Sequence, residues 1–157
     1  MIKTATTAGN GNIVNKPHGD LSSFCGQLKT TLGIMQEAGV VAPIAIAIAD
    51  VVNVGVIPAG TKLLDFVATV SVAFAALTTC SIGYADMRPA EVGALVENPV
   101  AFMAAGTVLS AAAVLRKTGV TADIVLTRDC YITVTFAGAA QLATSQLDCT
   151  VFGKIVG

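Results

Sequence analysis

A charge-free run of 20 residues, Phe66 to Ala85, constrains this sequence more than any other feature. Its length is enough to cross a bilayer as a helix, and Asn98 to Leu115 supplies a second uncharged run of 18 residues. Periodicity separates the two outcomes. Leu64, Phe66, Ala68, Val70, Val72 and Phe74 fall on one side, with Asp65, Thr69 and Ser71 on the other. That alternation has period 2, the mark of a half-buried strand rather than a helix. The chain has no Trp and two Tyr, and neither run is flanked by a Lys/Arg cluster. The interfacial anchors and orientation signals of a membrane span are therefore missing. The opening MIKTATTAGNGN has no apolar stretch of the kind a signal peptide needs.

If these runs are strands, the composition raises a different problem. Hydrophobic residues make up 54% of the 157 positions and charged residues 12%, for a formal charge of −1. An ordinary domain carries roughly 25% charged residues, so this chain has about half the usual means of keeping a free surface wetted. Disorder is excluded, because disordered chains are apolar-poor and highly charged. A partner recognised by phosphate neutralisation is excluded as well, since nine Lys plus Arg against ten Asp plus Glu leave no basic footprint. The expectation is a single domain that hides much of its surface in an assembly, with no nucleic-acid and no membrane partner.

Residues 1–20 stand apart: they are rich in Thr, Asn and Gly, with Lys3, Lys16, His18 and Asp20 as the titrating side chains. They read as an N-terminal arm. It either lies along a neighbouring subunit, with Lys3, Asn10, Asn12, Lys16 and His18 as candidate contacts, or closes the domain's own sheet. Residues 21–157 read as an all-β domain. Phe24 to Met35 is a weak, Gly-broken strand, and Ile44, Ile46 and Ile48 alternate with alanines as in a strand covered on both faces. Val51 to Ile57 follows, and Pro58-Ala59-Gly60 makes a tight turn. Further strands span 61–74, 78–85, 124–127, 131–136 and the stretch around Leu147, Cys149 and Val151. Short strands punctuated by Gly, Pro and Asp indicate a β-sandwich of jelly-roll-like type. On this phase Leu64 faces the core, and Leu64→Asp is expected to abolish soluble folding. In residues 87–118, Asn98-Pro99 resembles a helix start and Gly119 a helix stop, but Gly106, Thr107, Ser110 and the lack of a polar face make this a large Ala-rich excursion, a packed loop with short helical turns.

Motifs that carry chemistry are scarce. One histidine rules out a histidine-pair metal site within the chain, and a Ser–His–Asp triad would have to recruit His18 from the arm. Cys25, Cys80, Cys130 and Cys149 show no CxxC and no ligand-like spacing. Cys80 and Cys149 share apolar strand faces, where free cysteine behaves as a small hydrophobe, and free thiols are expected. The carboxylates are scattered without a calcium-loop pattern, and neither GxxxxGK[ST] nor GxGxxG occurs. No cofactor, metal or catalytic residue is nominated.

The segment from Asp50 through Ile57-Pro58-Ala59-Gly60 to Asp65, followed by Thr78-Thr79-Cys80-Ser81-Ile82-Gly83-Tyr84-Ala85-Asp86, resembles a pattern in the head decoration, or cement, proteins of tailed bacteriophages. Ala105-Gly106-Thr107, Asp123 to Thr127 and Val151 to Gly157 are similar in kind. The resemblance implies a β-sandwich subunit that sits as a homotrimer, or alternatively a homodimer, on the outer surface of an icosahedral shell. Its partners would then be the major capsid protein and itself. It also implies assembly in the host cytoplasm, a capsid-stabilising role and no enzymatic activity. A tail- or fibre-associated module that binds a host receptor or glycan is the alternative. Tyr84 and Tyr131 are its sole aromatic platforms beyond phenylalanine. A small integral membrane protein is the further alternative.

Overall fold

The structure is a computed structural model that describes residues 2–4, 21–31, 34–35, 44–118, 124–140 and 143–156. Among the described residues, twelve strands follow in chain order: β1 (Ile2–Thr4), β2 (Leu21–Thr30), β3 (Ile34–Met35), β4 (Ile44–Ala45), β5 (Val51–Ile57) and β6 (Thr61–Val72). They continue with β7 (Thr78–Asp86), β8 (Asn98–Val108), β9 (Ala113–Arg116), β10 (Val125–Leu126), β11 (Cys130–Gly138) and β12 (Ser145–Ile155). One sheet has the order β1-β5-β11-β7-β8. The other has the order β10-β6-β12-β2, with β9 also paired to β6, and β3–β4 form a small hairpin. Pairing within the two large sheets is antiparallel except for β1, which lies parallel to β5. The all-β sandwich expected from alternation is what the chain adopts. No helix among the described residues is long and apolar enough to cross a membrane.

The core forms where the inward faces of the two sheets meet. Ile132, Val134 and Phe136 of β11, Cys80, Ile82 and Tyr84 of β7, and Leu147, Cys149 and Val151 of β12 are all buried, as their period-2 spacing requires. Phe66 of one sheet stacks on Phe102 of the other, with ring centroids 4.9 Å apart and planes 14° apart. Tyr84 meets the same Phe102 ring edge-on at 6.4 Å. At the opposite edge the sheets touch through glycines: a Cβ on Gly26 of β2 would lie 2.2 Å from the Val54 carbonyl oxygen. The glycine that weakens the β2 pattern in sequence is thus what lets β2 run as a ten-residue strand against β5.

Three expectations are corrected. Leu64 is 45% exposed, whereas Leu63 is 3% exposed and in the core. The pairing of β12 with β6 passes from Phe152 opposite Asp65 to Gly153 opposite Leu63, which makes Leu64 the extra residue of a bulge. A bulge shifts the phase by one, so the inward positions change from 66, 68 and 70 to 61 and 63. A second shift between Gln146 and Leu147 likewise leaves Val72 45% exposed. Ile48 is also exposed: β4 ends at Ala45, and the Ile46-to-Asp50 segment turns as the Asp50 carboxylate accepts a hydrogen bond from the Ala47 N–H at 2.7 Å.

The third correction concerns 87–118. Residues 87–97 form an irregular loop, but 98–108 and 113–116 are strands, and the helical turns expected there are absent among the described residues. Helix propensity is a weak prior; here it loses to the burial of Ala101, Phe102 and Met103 and to pairing with β7. Pro99 is tolerated because β8 is an edge strand, where a missing N–H need not break a ladder. Gly83 makes room for the incoming chain, since a Cβ there would sit 1.9 Å from the Asn98 carbonyl oxygen.

Phe66→Ala should lower stability by about 3–5 kcal/mol, as expected for emptying a fully buried aromatic site, measured by urea unfolding. Leu63→Asp should prevent folding, whereas Leu64→Asp should fold with nearly unchanged circular dichroism. A Leu64→Asp chain that fails to fold while Leu63→Asp folds would refute the bulge.

Candidate functional site

The sandwich has two ends, and a cluster of carboxylates and arginines ties the loops together at one of them. The loops at residues 58–60, 87–97 and 127–129 converge there. Met87 donates its N–H to the Asp129 carbonyl at 3.1 Å, and Ala59 donates its N–H to the Asp129 carboxylate at 2.8 Å. Asp86, the last residue of β7, is the centre of the arrangement. Its Oδ1 accepts from the Arg88 N–H at 2.7 Å and its Oδ2 from the Leu95 N–H at 2.8 Å. The Arg128 Nε lies 3.1 Å from the same Oδ2, with the Asp86 side chain 1% and the Arg128 side chain 17% exposed. Arg128 also pairs with the Glu91 carboxylate and donates to the Val92 carbonyl at 3.4 Å. One guanidinium thus ties the β10–β11 turn to the end of β7 and to the middle of the 87–97 loop.

The Asp86 carboxyl is held below the ordinary aspartate range, first by the two backbone N–H donors and then by the Arg128 and Arg88 charges. With both oxygens engaged, Asp86 organises the loop and is not a free base. Beside it lies a cleft of about 290 Å³ whose walls include Asn53, Met87, Pro89, Leu95, Glu97 and Tyr131. Its lining is mostly apolar, with Asn53, Glu97 and the Tyr131 hydroxyl as the polar groups beside Asp86. The outer pair Arg88–Glu91, at 3.5 Å and half-exposed, adds little to stability.

Among the described residues no three His, Cys, Asp or Glu side chains come together as a metal site. The four cysteines are free, with Cys25 exposed and the other three buried. Burial pushes the Cys80 thiol up to about 12. It does the same for Cys130, to about 12, with Asp86 and Asp129 adding to the effect. Cys149 is raised by burial and then by Cys80, Asp148 and Cys25. A thiol that stays protonated at neutral pH is neither a nucleophile nor a ready ligand.

Of the arm candidates, Lys3 falls in β1, opposite Val52 in the parallel pairing with β5. The start of the arm therefore closes the chain's own sheet, one of the two alternatives posed by its composition. Asn10, Asn12, Lys16 and His18 lie outside the described residues. The Asp86–Arg128–Glu91 cluster was missed from sequence, because its members are up to 42 residues apart and nothing in their spacing links them. The nearest signal was Arg128-Asp129, legible as a turn but not as a clasp.

No protein-family model matches the sequence, and no curated protein matches it. Among solved structures, a chain in the capsid of Ralstonia phage GP4 aligns with a TM-score of 0.62 at 17% identity. The alignment covers 98% of this chain and 97% of that one. A chain in the acidic stable capsid structure of Helicobacter pylori bacteriophage KHP30 aligns with a TM-score of 0.54 at 13% identity, covering 90% and 92%. The protein therefore has a fold found in phage capsid structures over nearly its whole length.

Replacing Asp86 by Asn removes a carboxylate whose folded pKa is depressed. Its stabilisation is present above the unfolded value near pH 4 and is lost as pH falls through the folded value. Asp86→Asn should therefore melt below wild type at neutral pH, and the gap should narrow below about pH 4. A gap that stays constant to the lowest pH measured would exclude this role.

Proposed function

We propose that this protein is a non-enzymatic decoration, or cement, protein of a phage head. It binds the outer surface of the assembled shell through the major capsid protein and through copies of itself, as a trimer or dimer. The observation that carries the reading is the shared fold with a chain of the Ralstonia phage GP4 capsid across 98% of the length. The sequence pattern at 50–65 and 78–86 supports the same class. So does the surface: Leu21, Ile48, Leu64, Leu77, Val92, Val96 and Val114 are large apolar side chains left exposed on an isolated subunit.

Decoration stabilises by linkage. A subunit that binds the closed lattice but not its separated capsomers shifts the equilibrium toward the closed form, by about 2.7 kcal/mol per site at a hundredfold excess over Kd. No catalytic group is needed for this. Residues 1–20 act as an arm anchored on the sandwich by β1, which contains Lys3, and reaching a neighbouring molecule through Asn10, Asn12, Lys16 and His18. The virion is then the protein's location, after synthesis in the host cytoplasm.

Purified protein mixed with undecorated heads should sediment with them and raise the temperature at which they rupture. Heads that neither bind the protein nor gain stability would refute the function. Deleting residues 2–19 removes three paired residues at a sheet edge, so the subunit should remain folded while its occupancy on shells falls. Equal occupancy would refute a binding role for the arm.

A further inference from the structure

The cleft beside Asp86 is made by two parts of the fold. Its floor belongs to the β5, β11 and β7 strands: Tyr131 lies across from Val56 on β5 and Ala85 on β7, and Asn53 follows along β5. The small Ala85 beside Tyr131 leaves a hollow that a larger neighbour would fill. The wall is the 87–97 loop, which contributes Met87, Pro89, Leu95 and Glu97. Backbone hydrogen bonds hold that loop in one shape. The Arg88 and Leu95 N–H groups donate to Asp86 at 2.7 and 2.8 Å. The Glu91 N–H donates to the Arg88 carbonyl and the Ala94 N–H to the Glu91 carbonyl, each at 3.1 Å. A wall already fixed need not be ordered when something enters, which lowers the cost of binding.

The charges around the cleft single out one residue of the wall. Residues 58–60, 86–97 and 127–129 carry four carboxylates, Asp86, Glu91, Glu97 and Asp129, against two arginines, Arg88 and Arg128. Asp86 and Glu91 pair with Arg128, Glu91 also faces Arg88, and Asp129 accepts the Ala59 N–H. Glu97 is exposed, and among the described residues its carboxylate has no ion pair and no hydrogen bond. An unneutralised anion thus stands on the wall of a mostly apolar hollow with a tyrosine in its floor. On the same loop Val92 and Val96 are 101% and 83% exposed, more than any other large apolar side chain among the described residues.

We infer that this cleft takes an arginine side chain of a partner protein, with the subunit of the shell as its source. One side chain meets every demand of the lining. Its aliphatic stem suits Met87, Pro89 and Leu95, its planar cation suits the Tyr131 ring, and its forked donors suit the Glu97 carboxylate. Lysine has the stem, but its compact, strongly hydrated ammonium offers no fork and no flat face. A volume of about 290 Å³ lies at the lower limit of the roughly 300–1,000 Å³ of clefts that enclose whole small molecules, and so suits a single side chain. A second copy is a poor source. Each of the three arginines of this chain already faces a carboxylate of its own subunit: Arg88 faces Glu91, Arg116 faces Asp65, and Arg128 faces Asp86. Val92 and Val96 then supply apolar contact around the charged pair and keep water from it.

The choice of the shell rests on the decoration function proposed above, whereas recognition of arginine does not, and the test separates the two. Capped Gly-Arg-Gly titrated into the isotope-labelled full chain should move the amide signals of Leu95, Glu97 and Tyr131 saturably, with a Kd on the order of millimolar. The citrulline counterpart, of the same shape but uncharged, should bind about tenfold more weakly, and Glu97→Gln should weaken the arginine peptide by the same factor. Capped Gly-Lys-Gly should also bind more weakly than the arginine peptide. Asp148→Asn removes an equal charge from β12 of the other sheet and should change binding by less than about twofold. On undecorated heads, at wild-type half-occupancy, Glu97→Gln should bind to a lower level. A chain that shows no saturable shift overturns the inference. So does citrulline or lysine binding as tightly as arginine, or an equal loss with Asp148→Asn. Heads that take up Glu97→Gln as fully as wild type overturn the shell as the source. Wild type that binds the arginine peptide but ignores undecorated heads leaves the arginine site standing and removes the decoration function.

Discussion

The packing of one sheet on the other, anchored where Phe66 stacks on Phe102, is the contact from which the remaining geometry follows. Each sheet presents one apolar face, and a chain with so few charges has no other way to remove that area from water. The aromatic contact draws β8 onto the edge of its sheet, and with it the Ala-rich segment that local propensity would have coiled. At the other edge, Gly26 and Gly55 allow backbones to approach where any side chain would hold them apart. Between these two limits the interior is filled by Val, Ile, Leu, Phe and free Cys, with the Cys80, Cys130 and Cys149 thiols kept protonated by their burial.

Once the sheets are fixed, their connections exit at two ends, and the few charges are divided unequally between them. Asp86, Arg128 and Asp129 bind three loops together at one end, turning an irregular stretch at 87–97 into a defined wall with a cleft beside it. The opposite end has alanines and exposed Leu77 and Ile48. A subunit polarised in this way is suited to a fixed orientation in an assembly. The clasped end also carries the exposed side chains of Val92 and Val96, so apolar surface is left to solvent at both ends.

Much of the fold was legible from alternation. In β7, β11 and β12 the residues read as inward from period 2 are those the core contains, because regular pairing preserves the phase along the strand. The phase of β6 was legible only as far as its regular part. Phe66, Ala68 and Val70 are buried, but the bulges at Leu64 and Ser71 exist because of how β12 pairs beside them, and no pattern within β6 reveals them. The polar cluster was less legible still. Asp86 and Arg128 look like ordinary turn residues until the β7–β11 pairing sets Asp86 opposite Cys130 and brings the two turns together.

The sequence by itself determined the class: strands rather than helices, one apolar face per strand, and too little charge for a fully solvated surface. These properties depend on residue type and local spacing, which are complete in one dimension. Tertiary structure alone decided that Leu63 and not Leu64 enters the core, that Asn98–Val108 is a strand, that Ile2–Thr4 pairs with β5, and that Asp86, Glu91 and Arg128 meet. Each of those outcomes depends on a partner far away in the chain, and a long-range contact overrides local preference whenever the area it buries is worth more than the propensity it opposes.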